Sequence, residues 1–177
     1  IGEEQAVLPD FQTLPLSTPS HLIYTSGSTG KPKGVEITHE NIAALSIWAQ
    51  NTYSTEELSG VIASTSVCFD LSIFEIFVTL NLGGRLILVE NGLAQHAITN
   101  AKQPTLLNTV PSVLNELLSQ TSLPATIQTV NLAGEALPKA LASRLYELPH
   151  IQRVYNLYGP SEDTTYSTAS LVQRDST

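Results

Sequence analysis

Ten residues, Thr25 to Gly34 (TSGSTGKPKG), gather three glycines, four hydroxyl side chains and two lysines. Glycine lets main-chain N–H groups approach an anion, hydroxyls donate to phosphate oxygens, and lysine supplies charge. That set of donors suits a triphosphate. It is not a Walker A loop, because no glycine stands five places after Gly27 and neither Lys31 nor Lys33 precedes Ser or Thr. The same composition also describes a polar hairpin turn. A second string, NLYGPSE from Asn156 to Glu162, offers an aromatic face beside Gly159 for a flat ring and a carboxylate for a hard cation. Taken alone, Tyr-Gly-Pro is more often simply a turn. Asp70 lies between Phe69 and Leu71, where a carboxylate either caps the next helix or pairs with a charged group.

These residues need a frame. HLIYT (His21 to Thr25) and GVEIT (Gly34 to Thr38) predict a hairpin around the Gly-rich loop. Thr38 predicts a cap for a helix over HENIAALSIWAQNTY, with Ile42, Leu45 and Ala49 on one face. Downstream, the strand runs VIAST, RLILV, TLLNTV, TIQTVNLA and QRVYNLYG alternate with helical patterns at LSIFEIFVTL, PSVLNELLSQ and PKALASRLYEL. The alternation predicts an α/β fold with a mostly parallel, helix-covered sheet. In such sheets ligands sit outside the carboxyl ends of the strands, which is where Asp70, Asn108, Gly134, Glu135, Ser161 and Glu162 fall. Residues 1–20, with Pro9, Pro15 and Pro19, read as a lead-in over the surface, and residues 21–177 as the domain.

Composition narrows the function classes. With 42% hydrophobic residues in 177, the chain can bury a core. A net charge of −8, with eight scattered Lys and Arg, leaves no basic footprint for nucleic acid or anionic membrane. No apolar run approaches the roughly 18 residues of a membrane span. The start IGEEQAVLPD lacks the features of a signal peptide. A single cysteine, Cys68, excludes an intrachain disulfide framework and makes a reducing, cytoplasmic setting the default; with no activating base nearby in sequence it reads as packing. His21, His39, His96 and His150 lack paired zinc-ligand spacing, and Trp48 reads as core or interface. The start at Ile1 and the lack of methionine predict a piece of a longer translation product.

The string YTSGSTGKPKGV resembles the signature loop of adenylate-forming enzymes, the superfamily of acyl-CoA synthetases, luciferases and the adenylation domains of nonribosomal peptide synthetases. FDLSIFE (Phe69 to Glu75), NLAGEALP (Asn131 to Pro138) and NLYGPSEDTT (Asn156 to Thr165) follow in that family's order. The resemblance spans roughly Leu22 to Ser167 and implies part of the family's large N-terminal domain. It implies that Thr25, Ser26, Gly27, Ser28, Thr29 and Gly30, with Lys33, hold the pyrophosphate end of ATP. Asn156 would contact the adenine amino group, with Tyr158 against the purine beside Gly159. Ser161, where the family usually shows Thr, would reach the α-phosphate. Glu162 would bind Mg²⁺, and Gly134 and Glu135 would lie along the adenine and ribose.

In amino-acid-activating members an aspartate at the position of Asp70 pairs with the substrate's α-ammonium group, so the resemblance implies an α-amino acid rather than a fatty acid. The remaining pocket positions read Leu71, Phe74, Asn108, Asn131, Ala133, Leu157, Thr165 and Tyr166. Two aromatics, Phe74 and Tyr166, leave room for a small neutral side chain, alanine first and glycine next; Asn108 and Asn131 could instead bond a polar side chain. The implied product is an aminoacyl-adenylate, passed to a phosphopantetheine thiol on a carrier domain among other synthetase modules. The pattern resembles cyanobacterial synthetases. Two alternatives are a carboxylic-acid:CoA ligase and a noncatalytic binding module. After LVQRDST the family's ribose-binding aspartate, hinge and small C-terminal domain with its catalytic lysine have no counterpart. The 177 residues alone are therefore expected to show negligible pyrophosphate exchange; robust turnover in that assay would contradict this.

Overall fold

A hairpin leads the chain into the domain. In a computed structural model, residues 14–26, 30–94, 98 and 103–174 are described. Residues 1–13, Gly27, Ser28, Thr29 and His96 lie outside them. Strand β1 (Pro19–Ser26) pairs antiparallel with β2 (Pro32–Thr38), placing Ile23 opposite Val35 and Thr25 opposite Lys33. Ile23, Val35 and Ile37 turn inward while Leu22 and Tyr24 face out, the alternation that the sequence predicts. The lead-in boundary at residue 20 needs correcting, because β1 already begins at Pro19. A proline is tolerated at a first strand position, where its missing N–H removes no interior ladder bond. The carbonyls of Leu16 and Thr18 also accept the N–H groups of Glu40 and His39, so this stretch belongs to the packed unit.

Thr38 starts helix α1 (His39–Thr52) with a reciprocal capping box: its hydroxyl accepts the Asn41 N–H, and the Asn41 side chain accepts the Thr38 N–H. Ile42, Leu45 and Ala49 form the buried face. After a 3₁₀ turn at Glu57–Gly60, residues 71–81 (α2) are α-helical at Leu71–Ile73, widen to a π turn at Phe74–Val78 and close as α at Thr79–Asn81. Ser72, Ile73, Phe74 and Glu75 are all buried in succession.

The main sheet runs in the order β4-β3-β5-β6-β7-β8. Strands β3 (Val61–Ala63), β4 (Leu86–Leu88), β5 (Leu106–Thr109), β6 (Thr129–Leu132) and β7 (Arg153–Tyr158) are parallel; β8 (Thr168–Leu171) closes the edge antiparallel to β7. Every residue of β5 and β6 is buried, as expected where both faces are covered. One face packs on the hairpin, α1 and α2 through Ile23, Leu45, Phe74 and Leu157. The other packs on helices α3 (Pro111–Gln120) and α4 (Lys139–Tyr146) through Leu107, Leu114, Val130 and Leu145. Pro138 is the residue before α4 rather than part of its first turn.

The amino ends of the strands share one carboxylate. Glu57 Oε1 accepts the Thr129 hydroxyl at 2.5 Å, and its Oε2 accepts Arg153 Nη1 at 2.8 Å and the Ser54 N–H at 2.9 Å. Its carbonyl accepts the Thr105 hydroxyl at 2.8 Å. The residues that open or precede β5, β6 and β7 are thus pinned to the turn before β3, which fixes where their opposite ends emerge. Removing the carboxylate leaves the fully buried Thr129 hydroxyl without its acceptor. Glu57→Ala is expected to lower the unfolding free energy by about 2 kcal/mol in urea titrations; an unchanged midpoint would contradict this.

Candidate active site

Two loops meet at the carboxyl end of the sheet. Asp70 immediately precedes α2, with helical backbone angles, and makes no side-chain cap bond, so the helix-capping reading of this carboxylate is set aside. Its Oδ2 instead accepts the Ser161 hydroxyl at 2.5 Å, and its main-chain carbonyl accepts the Thr165 hydroxyl at 2.9 Å. Thr165 gets there through an unusual turn. Thr164 and Thr165 both hold left-handed backbone angles, φ 59° and 77°, at a cost of about 1–3 kcal/mol each. Gly159 permits the fold-back: a Cβ there would lie 2.6 Å from the Ser167 nitrogen and 2.7 Å from the Thr165 carbonyl oxygen.

The hairpin reaches the same loop. Lys33 Nζ lies 3.1 Å from Glu162 Oε1, with both side chains about half exposed to solvent. Glu162's own main-chain N–H and then Lys33 hold its carboxyl below the usual carboxylate range. Thr25, Ser26 and Gly30 stand at the loop end of the hairpin, Gly30 with φ 77°. The loop residues Gly27, Ser28 and Thr29 lie outside the described residues.

Two clefts adjoin. One, of about 420 Å³, is lined by Thr65, Phe69, Asp70, Leu71, Gly134 and Glu135 among others. The second, about 390 Å³, is lined by Gly134 and Glu135 on one side and by Asn156, Tyr158 and Gly159 on the other. Gly134 (φ 78°) and Glu135 form the wall between them. The Glu135 carboxylate is held there by the N–H and hydroxyl of Ser112, at 2.9 and 2.7 Å, in the first turn of α3. A third cavity of similar size, about 410 Å³, lies between α4 and residues 172–174 and contains none of the motif residues. Volume therefore does not choose the site; the convergence of the motifs does.

Several expected pocket positions lie beneath the open clefts. Phe74, Asn108, Asn131, Ala133, Leu157 and Thr165 are buried. Phe74 and the half-buried Tyr166 sit 5.6 Å apart, and Trp48 joins them at 6.4 and 5.9 Å, so this tryptophan belongs to the same aromatic cluster. Of the two asparagines, Asn108 is engaged at both ends of its amide, whereas Asn131 keeps a donor. Asn108 accepts the Tyr166 hydroxyl at 2.7 Å and donates to Glu75 at 3.2 Å. Asn131 accepts the Tyr53 hydroxyl at 3.1 Å, which leaves only its Nδ2 unpartnered. Burial pushes both phenols well above their ordinary pKa, which keeps Tyr53 and Tyr166 neutral donors.

Glu75 is the residue that sequence reasoning passed over, treating it as the last letter of FDLSIFE. The available signal was an acid inside the apolar run IFEIF. It is fully buried and takes the Ser64 and Thr65 N–H groups, each at 3.1 Å, and the Thr65 hydroxyl at 2.6 Å. Burial pushes its carboxyl upward against these hydrogen bonds.

The described residues contain no cluster of three His, Cys, Asp or Glu suited to a metal. A divalent cation beside Glu162 would take its other ligands from phosphates and water, the usual habit of Mg²⁺. Among the described residues, no helix is long and apolar enough to cross a membrane.

This arrangement matches a known class. The profile of the AMP-binding enzymes covers residues 3–177, and the chain belongs to that family of ATP-using, adenylate-forming ligases. It is 55% identical over 166 residues to a linear gramicidin synthase of Brevibacillus parabrevis, covering 92% of this chain and 3% of that protein. It is 52% identical over 149 residues to the AMB antimetabolite synthetase AmbB of Pseudomonas aeruginosa, covering 84% and 12% respectively. Among solved structures, the Vibrio cholerae adenylation domain AlmE, in complex with glycyl-adenosine-5'-phosphate, superposes with a TM-score of 0.77 at 29% identity. That match covers 89% of this chain and 31% of AlmE. The chain thus spans a small part of each of these relatives.

The ion pair between hairpin and loop can be tested directly. Lys33 favours the charged form of Glu162, so Lys33→Ala should raise the Glu162 pKa toward the ordinary carboxylate value in a ¹³C NMR titration. An unmoved titration curve would contradict the pairing.

Proposed function

We propose that this chain is the nucleotide- and substrate-facing part of an amino-acid adenylation domain in a longer peptide synthetase. It would activate a small neutral α-amino acid, alanine ahead of glycine, for a phosphopantetheinyl carrier domain. The observation that carries this reading is Asp70. Its carboxylate lines an otherwise largely apolar cleft and is bonded by Ser161, instead of capping its helix. A carboxylate in such surroundings calls for a donor or cationic partner, and an α-ammonium group supplies one. A fatty acid offers none.

The second cleft supports the nucleotide role. Asn156 can address the polar edge of a purine, the exposed Tyr158 can cover its face, and Gly159 allows close approach. Ser161 and Lys33 would donate to phosphate oxygens, with Thr25, Ser26, Gly27, Ser28, Thr29 and Gly30 at the pyrophosphate end. The exposed carboxylate of Glu162 fits a hard cation that also draws on phosphates. Magnesium, when bound, would neutralise charge on those phosphates. In the reaction a carboxylate oxygen of the amino acid bonds to the α-phosphorus as the bond to pyrophosphate breaks. The chain's part is to position and stabilise charge, and no protein nucleophile is needed.

Phe74, Trp48 and Tyr166 pack on one another, and Tyr166 follows Thr165, whose hydroxyl bonds the Asp70 carbonyl; this cluster would form the end wall of the pocket, in keeping with a short side chain. The pocket would comprise Asp70, Leu71, Phe74, Asn108, Asn131, Ala133, Leu157, Thr165 and Tyr166, with Gly134 and Glu135 dividing it from the nucleotide. The test is ATP–pyrophosphate exchange by the full-length gene product across a panel of amino acids. Alanine should give the highest rate, and Asp70→Ala should reduce it about 100-fold or more. Exchange driven by simple carboxylic acids and indifferent to Asp70→Ala would favour a CoA ligase. Binding of ATP and alanine with no exchange would favour a noncatalytic module.

A further inference from the structure

We infer that Glu75 sets the width of the amino-acid pocket without touching the substrate, by fixing which way the Asn108 amide points and so where the Tyr166 ring stands. The inference rests on the adenylation reading and deepens it. The two ends of an asparagine amide are nearly alike in shape but opposite in hydrogen-bonding sense. Three other donors already converge on the two Glu75 oxygens, so this carboxyl acts as an acceptor and meets the Asn108 NH₂ group, 3.2 Å away. The Asn108 carbonyl must then face the other way, where it accepts the Tyr166 hydroxyl at 2.7 Å. Tyr166 is thereby held against Phe74 and Trp48, one residue from Thr165, whose hydroxyl bonds the Asp70 carbonyl; this is the ring that a longer substrate side chain would have to displace.

The surroundings explain why this residue is an acid. Three further donors converge on Glu75: the Ser64 and Thr65 N–H groups and the Thr65 hydroxyl. With Asn108 they supply four hydrogen bonds to two oxygens, and all of them require an acceptor. Glutamine has nearly the same shape but one oxygen, so its NH₂ group would confront a donor on one side or the other. The π turn of α2 contributes by burying Phe74 and Glu75 side by side, one in the aromatic wall and the other in the polar relay. Glu75 also grips Ser64 and Thr65, which begin the loop leading to Asp70. One buried carboxylate is therefore tied both to the loop that carries the ammonium partner and to the ring that limits the side chain.

The test compares Glu75→Gln, Tyr166→Phe and the double variant in the full-length gene product, with kcat and KM for alanine, valine and leucine measured by pyrophosphate exchange. Each single substitution should narrow the preference for alanine over leucine by about tenfold, mainly through a lower KM for leucine. The double variant should go no further than either single one, since both break the same relay. A Glu75→Gln enzyme that loses activity equally toward all three amino acids, with its preference unchanged, would overturn the inference. If Glu75→Gln does not fold, Tyr166→Phe decides alone, because it cuts the relay at its far end. A relaxed preference then supports the relay, and a wild-type preference overturns it. Failure of the wild-type protein to use any amino acid would instead overturn the adenylation reading underneath.

Discussion

The short bond from the Ser161 hydroxyl to the Asp70 carboxylate is the joint on which the site depends. It ties the loop that follows β3 to the loop that follows β7, and its neighbour, from the Thr165 hydroxyl to the Asp70 carbonyl, locks the same two segments a second time. Between them they set the distance from the proposed amino-acid end of the site to the proposed phosphate end. The left-handed Thr164 and Thr165 show that the chain accepts local strain to make this joint. That strain is bearable because the strands beneath are pinned at their other ends through Glu57.

The site consists largely of polar groups that satisfy one another. Asp70 is met by Ser161, Lys33 by Glu162, Glu135 by Ser112, and Asn108 by Tyr166 and Glu75. Where such groups are buried, as at Asn108 and Glu75, leaving one unpaired destabilises a fold strongly, which favours reciprocal pairing. It also holds each group in place before a substrate atom reaches it, the form of catalysis expected when positioning and charge stabilisation do most of the work. An entering ammonium or phosphate group would exchange one hydrogen-bond partner for another.

Local patterns made much of this legible in the sequence. The hairpin follows from alternating Ile23, Val35 and Ile37 around a Gly-rich turn, the first helix from Thr38 and Asn41 at its start, and the parallel sheet from apolar runs separated by helical spacing. Strand β8 is not legible in the sequence because all of its residues are exposed and the short run TASL, with Leu171 its one large apolar residue, carries too little pattern. The π turn was invisible because helical spacing does not distinguish one extra residue in a turn. The joint itself could not be read from any local pattern, since Ser161 lies 91 residues from Asp70 and Tyr166 lies 58 from Asn108. The engagement of Asn108 is hidden for the same reason: its partners Tyr166 and Glu75 arrive only with the tertiary fold. Glu75 looked like the end of a motif until burial showed that four donors need it.

The central claim is that the two adjoining clefts together hold an aminoacyl-adenylate, with its ammonium group at Asp70. Calorimetric titration of the full-length gene product with non-hydrolysable acyl-adenylate mimics tests it most directly. Alanyl-sulfamoyl-adenosine should bind about 100-fold more tightly than its des-amino counterpart, propionyl-sulfamoyl-adenosine, because only the former gives Asp70 a charged partner. Equal affinity for the two, or tighter binding of the propionyl compound, would contradict the account.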